Sequence, residues 1–150
     1  MRIAASAERA IMAFARESED GRETGGILVG RGPGADGVVH VEVAGDAGPR
    51  AIRRSDFFLR DLAHARQLAD DAWERTGAVW VGEWHTHLKR EPQPSQADLS
   101  TYVRLLAIAE LNFVVFTSLI VIPDVERGWA APQIWPWLLE LNRRNEPGQP

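Results

Sequence analysis

The chain has 150 residues, 45% hydrophobic and 25% charged, with a formal charge of −4, the size and balance of one globular domain with its own core. The acidic balance and the lack of a basic run exclude nucleic acid as the main partner, and no stretch reaches the ~20 apolar residues of a membrane span. There is no cysteine, so disulfides, thiolate catalysis and cysteine-held zinc are excluded, and any metal must be held by His, Asp or Glu.

Charge interrupts Met1 to Glu8 before an apolar core can form, which is not the pattern of a signal peptide, and the protein reads as cytoplasmic. Residues 6–19 place Ala7, Ala10, Ile11, Phe14 and Ala15 at helical spacing, with Ser6 as N-cap and Asp20-Gly21 as the stop. Gly25 to Gly30 is a short apolar run with glycine at both ends, which suits a central strand. Arg31 to Gly37 is a turn, and Val38 to Ala44 alternates and β-branches, so the two runs form a hairpin. After irregular residues 45–55, the spacing predicts a helix over 56–75 with a stripe of Phe58, Leu62, Ala65, Ala69, Ala72 and Trp73. A buried strand over 78–84 runs into His85, and Ser95 opens a helix to about residue 110. Residues 112–122 and 128–137 read as strands, the second an edge strand given its prolines. Residues 138–142 read as a helical turn and 143–150 as a polar tail. The resulting order, α-β-β-α-β-α-β-β over residues 1–142, predicts a mixed sheet flanked by helices. The six tryptophans are expected mostly in the core.

The chemistry concentrates in Gly82 to Asp98. Residues i and i+2 of an extended chain point the same way, so His85 and His87 present two imidazoles at the end of one strand. Val79, Val81 and Glu83 share that parity, while Trp80, Trp84 and Thr86 face away. Pro92 and Pro94 stiffen the returning loop. Ser95 and Asp98, three apart, share a helix face. Two nitrogens, a carboxylate and a hydroxyl thus come within reach of one centre, the donor set of a catalytic zinc with a position left for water. Ser95 to Asp98 equally reads as a capping box, and the two roles are compatible. His40 and His64 have no partner spacing and read as solvated. A zinc hydrolase also needs a general acid/base. Glu83, on the ligand-bearing strand, and Glu23, at the mouth of the glycine-bracketed strand, both qualify. Spacing does not choose between them, although proximity favours Glu83.

Glu23 ahead of Gly25-Gly26-Ile27-Leu28-Val29-Gly30, then His85-Thr86-His87, seven residues, Ser95, two residues and Asp98 resembles the signature of the JAB1/MPN/Mov34 (JAMM) metalloproteases, and Gly82 to His87 is similar to compact prokaryotic members. The resemblance implies an MPN, cytidine-deaminase-like α/β fold. It implies that His85, His87 and Asp98 bind zinc, that a water fills the fourth place, that Glu23 moves the water's proton to the leaving amine, and that Ser95 steadies the oxyanion. It implies cleavage after the C-terminal glycine of a ubiquitin-like or sulfur-carrier protein, with E1- or E2-like operon neighbours as partners. Leu88 stands where many relatives have proline, and long insertions that grip ubiquitin are lacking. The substrate tail is expected to pair with an edge strand near the metal. Lys89-Arg90 and Arg53-Arg54 are candidate contacts for an acidic partner, or solvated surface charge. The alternative is a non-catalytic MPN scaffold, which usually lacks one or more of the five residues. A zinc deaminase is disfavoured by the missing cysteines and H-x-E pattern.

Overall fold

The computed structural model describes residues 1–140. Strand β1 (Arg2–Ile3) leads into helix α1 (Ala5–Ala15) and a 3-10 turn (Arg16–Asp20) that ends at Gly21, whose φ of 75° is left-handed. Strands β2 (Gly25–Arg31) and β3 (His40–Ala44) form the expected antiparallel hairpin. A small hairpin of β4 (Ile52–Arg53) and β5 (Phe58–Leu59) precedes helix α2 (Leu62–Thr76). Then come strand β6 (Val79–Thr86), helix α3 (Gln96–Leu106), a 3-10 turn (Ala109–Leu111) and the antiparallel pair β7 (Val115–Asp124) and β8 (Gly128–Glu140). The main sheet runs β1-β3-β2-β6-β7-β8, with β6 parallel to β7. It is the mixed, helix-flanked sheet the sequence predicts.

Both faces of the central strands are covered, which is why β2 and β6 read as continuous apolar runs rather than alternating ones. On one face Ile11 of α1 packs with Leu28, Val41, Trp84 and Leu119. On the other, Ala65 of α2 and Tyr102 of α3 pack with Ile27, Val29 and Phe116. Among the described residues no helix is long and apolar enough to cross a membrane.

Several expectations change. The pairing of β2 with β6 shifts register between Leu28 (opposite Gly82) and Val29 (opposite Trp80), so Val81 is an extra residue, a β-bulge. Trp80 therefore faces the α2/α3 side and Val81 the α1 side, the reverse of strict alternation. Ser6 does not cap α1. Ala4 holds that position because its N–H is committed to Val41 O in the sheet, and the chain turns into helix directly after it. Helix α2 begins at Leu62 rather than near residue 56, because Asp61 caps it by accepting from the N–H groups of Ala63 and His64; Phe58 belongs to the β4–β5 hairpin. Trp73 is 61% exposed, since it lies 100° around the helix from the buried Ala72. Trp135 and Trp137 are also exposed, leaving Trp80 and Trp84 as the fully core tryptophans. Residues 138–140 continue β8, paired with Thr117, Phe116 and Val115, instead of forming a helical turn. Residues 141–142 of that turn and the tail at 143–150 lie outside the described residues.

Candidate active site

The end of β6 carries His85, His87 follows directly after the strand, and α3 delivers Asp98 to them. His85 Nε2 lies 3.3 Å from Asp98 Oδ1, His87 Nε2 lies 3.3 Å from Asp98 Oδ2, and the two Nε2 atoms are 3.0 Å apart. Among the described residues these three side chains form the one group of potential metal ligands whose donor atoms all converge within 4.8 Å. His87 Nδ1 is 2.8 Å from the Glu91 carbonyl. A carbonyl only accepts, so Nδ1 carries a hydrogen; a protonated ring then donates from Nε2 to Asp98, and a neutral ring turns its Nε2 lone pair toward that point. Two imidazole nitrogens that close, with a carboxylate astride them, call for a proton or a cation between them. The set suits a transition-metal ion.

Burial pushes the His85 imidazole below its ordinary pKa, against the pull of Asp98. Burial acts the same way on His87, but Asp98 and the Glu91 carbonyl outweigh it and raise that ring. Asp98 would be raised by burial alone, yet hydrogen bonds with both histidines hold it well below the usual carboxylate range. The capping box is also present. Ser95 N–H donates to Asp98 Oδ2 at 2.7 Å and Asp98 N–H donates to Ser95 Oγ at 3.1 Å, so the cap that starts α3 also aims the carboxylate.

A cleft of about 240 Å³ opens over this centre, and Glu23, Ser95 and Asp98 line it together with His85 and His87. Burial, with Asp98 and Asp56 nearby, raises the Glu23 carboxyl to about 7, although His87 pulls it down. Glu83 is placed differently. It forms a buried ion pair with Arg60, and its Oε1 approaches Nδ1 of His85 at 3.9 Å, not the Nε2 side where the ligands converge. Both carboxylates line the cleft, and they differ in their partners: Glu83 is engaged by Arg60, whereas the Glu23 side chain has no ion pair among the described residues.

Residues 4–136 match the family of prokaryotic homologs of the JAB domain. The chain belongs to this family. Two relatives are each named CD-NTase/cGAS isopeptidase. One, from Escherichia coli (strain TW11681), is 30% identical over 91 residues, covering 59% of this chain and 56% of that protein. The other, from Enterobacter hormaechei subsp. hoffmannii (strain UCI 50), is 34% identical over 85 residues, covering 57% and 47%. The match therefore spans about half the length of those relatives. A solution structure of a Desulfitobacterium hafniense protein aligns over 93% of this chain and 84% of its own at 20% identity, with a TM-score of 0.63. One from Salinibacter ruber aligns over 100% and 95% at 20% identity, with a TM-score of 0.51. Both share the fold.

This prokaryotic JAB domain secures its site with residues that motif spacing does not reveal. Arg53 is not a free surface charge. Its guanidinium meets Asp20 at 3.1 Å and Glu17 at 3.6 Å, and its Nε donates to Glu23 O at 3.1 Å. Glu23 N–H donates to Arg54 O at 2.7 Å, so the β4–β5 hairpin clamps Glu23 on both backbone groups. Gly25 permits this approach. A Cβ there would meet Trp84 O at 2.3 Å and Phe58 Cε1 at 2.8 Å. Trp137 Nε1 donates to Pro92 O at 2.8 Å, tying the loop between His87 and Ser95 to β8. Arg90 donates to Asp124 O and Val125 O, while Lys89 lines the cleft and has no ion pair among the described residues. His64 is partly exposed and bonded to Asp46, because Asp61 caps α2 just before it and the first turn faces the preceding loop. His40 is partly exposed beside Asp36, 3.5 Å away. Apart from the His40–Asp36 pair, these contacts join segments distant in sequence, and one sequence does not display such pairings.

Proposed function

We propose that the chain is a zinc hydrolase that cuts the peptide or isopeptide bond following the C-terminal glycine of a ubiquitin-like or sulfur-carrier protein. The observation that carries this reading is the convergence of His85, His87 and Asp98 beneath a cleft that Glu23 and Ser95 also line. His85, His87 and Asp98 would hold the metal, as two neutral imidazoles and one ionised carboxylate suit it. When bound, zinc supplies Lewis acidity and lowers the pKa of a water from ~15.7 to about 7. Glu23, whose carboxyl burial raises to about 7 in the metal-free chain, is the group that would accept the attacking water's proton and return it to the leaving amine. Ser95 Oγ accepts from Asp98 N–H, so its own hydrogen is free to donate to the scissile carbonyl oxygen as that oxygen gains charge.

The names of the two relatives support an isopeptide substrate, and point to a ubiquitin-like protein joined to a CD-NTase or cGAS-type enzyme, with E1- or E2-like proteins as pathway partners. That all five motif residues are present in this chain favours the enzyme over a scaffold. The test is metal analysis of purified protein, then incubation with a ubiquitin-like protein extended beyond its C-terminal glycine. One zinc per chain and chelator-sensitive cleavage after that glycine are expected. A folded protein that takes up no zinc and leaves the extension intact defeats the reading in favour of the scaffold.

A further inference from the structure

Thr86 sits between the two histidines and points away from them, fully buried at 0% exposure. Its hydroxyl is used to capacity. It is 2.8 Å from the buried Ser18 Oγ, accepts from Thr24 N–H at 2.9 Å, and lies 3.3 Å from Thr24 O. One hydroxyl offers two acceptor sites and one donor, so all three contacts are met at once if Ser18 donates. Meanwhile Thr86 N–H donates to Thr24 O at 2.8 Å. An antiparallel ladder would return the Thr24 N–H to a backbone carbonyl. Here a side-chain oxygen takes that place. The β2–β6 ladder, regular from Gly25 opposite His85 to Leu28 opposite Gly82, ends at this exchange, and the next residue out is Glu23. The 3-10 turn that carries Ser18 braces the junction from the α1 side.

We propose that Thr86 is a positioning residue for the proton-transfer group: its buried hydroxyl ends the β2–β6 ladder at Thr24 and so fixes Glu23 relative to the point where His85, His87 and Asp98 converge. It touches neither substrate nor metal. The inference rests on the hydrolase reading, and its test separates the two.

The variants are Thr86→Val, which keeps the shape and removes the hydroxyl, and Thr86→Ser, which keeps the hydroxyl. Zinc affinity is read by competition with a chromogenic chelator, kcat and KM on the extended ubiquitin-like substrate, and amide exchange at Thr24 in metal-free protein. Thr86→Val is expected to hold zinc affinity and KM within about threefold while kcat falls about 10²-fold, the size of a misplacement near 1 Å. Its Thr24 amide exchanges at least about tenfold faster in the absence of metal, as a lost buried bond requires. Thr86→Ser restores kcat to within about threefold, because the same bonds re-form. If Thr86→Val does not fold, Ser18→Ala removes only the brace and is expected to lower kcat by about three- to tenfold at unchanged KM. A Thr86→Val enzyme with undiminished kcat, a Thr86→Ser enzyme as slow as Thr86→Val, an Ser18→Ala enzyme with undiminished kcat, or loss of zinc in step with kcat overturns the proposal. If the parent protein itself neither binds zinc nor cleaves, the hydrolase reading fails, and unchanged Thr24 exchange in Thr86→Val then rejects the junction as well.

Discussion

The inner wall of the cleft is β6 from Glu83 to Thr86, buried and paired on one side with β2 and on the other with β7. The outer wall is the β4–β5 hairpin, whose turn and second strand from Ser55 to Leu59, with Arg60 just beyond, line the cleft. That hairpin rests on two strands of two residues each and leaves Phe57 44% and Leu59 50% exposed. The inner wall fixes atoms to within hydrogen-bond tolerance, as metal ligation and proton transfer demand. The outer wall presents exposed apolar side chains on short strands, the surface that would receive substrate under the proposed function. Glu23 stands at the seam. One neighbour in sequence is locked to Thr86 of the inner wall, and its own backbone groups are held by Arg53 and Arg54 of the outer one.

If this division holds, changes on the inner wall strike kcat or the metal, and changes on the outer wall strike KM. The largest effect is expected from Asp98→Ala, which removes one ligand and half of the α3 capping box. Metal analysis should find zinc binding lost and activity at background, and a variant that retains one zinc per chain would remove Asp98 from the ligand set. Next is Glu23→Gln, expected to keep the zinc and lose on the order of 10²–10⁴ in kcat. The same substitution carries a stability signature. The Glu23 carboxyl sits at about 7 in the folded chain against an ordinary 4.5, so the folded state holds its proton more tightly than the unfolded state does. Its ionised form therefore destabilises the metal-free protein above pH 7, and not below about pH 4.5. After discounting for partial exposure, denaturation of the metal-free protein at pH 8 should show Glu23→Gln more stable by on the order of 1–2 kcal/mol. At pH 4 the difference should vanish. Ser95→Ala follows, at roughly 10²–10³ in kcat from the lost donor, together with about 1 kcal/mol of stability from the lost N-cap.

What was legible in advance was the local part of the inner wall. An H-x-H at a strand end and an S-x-x-D at a helix start each place two side chains by backbone periodicity alone, and the structure keeps both geometries. Glu23 was not legible from spacing, because its place depends on β2 pairing with β6 some sixty residues away; only the family signature pointed to it. Alternation failed at Val81, where one inserted residue reverses the faces and puts Trp80 on the side of Glu83, with Arg60 stacked over its ring at 5.7 Å. The second strand of the hairpin has the sequence pattern of a helix start, because Phe58 falls on the same stripe as Leu62 and Ala65. Asp61, a good N-cap by type, marked the true boundary. Arg53 looked like surface charge because Asp20, its partner, is thirty-three residues away. Each failure is a contact between segments that neither segment shows alone.

The smallest expected effect lies on the outer wall and tests the division most directly. Phe57 and Leu59 are exposed, apolar and part of the cleft lining, so neither side chain has much packing to lose. Leu59→Ser and Phe57→Ser should each leave stability within about ±0.5 kcal/mol, as surface substitutions do. If the substrate's tail lies against this wall, each removes one apolar contact worth about 1–2 kcal/mol and raises KM by roughly tenfold. Because that contact is made equally in the bound substrate and the transition state, kcat should stay within about twofold. Steady-state kinetics on the extended ubiquitin-like substrate decide it. A fall in kcat at unchanged KM would mean that the hairpin acts through Glu23, which it clamps, and that the two walls form one catalytic unit rather than one for chemistry and one for recognition.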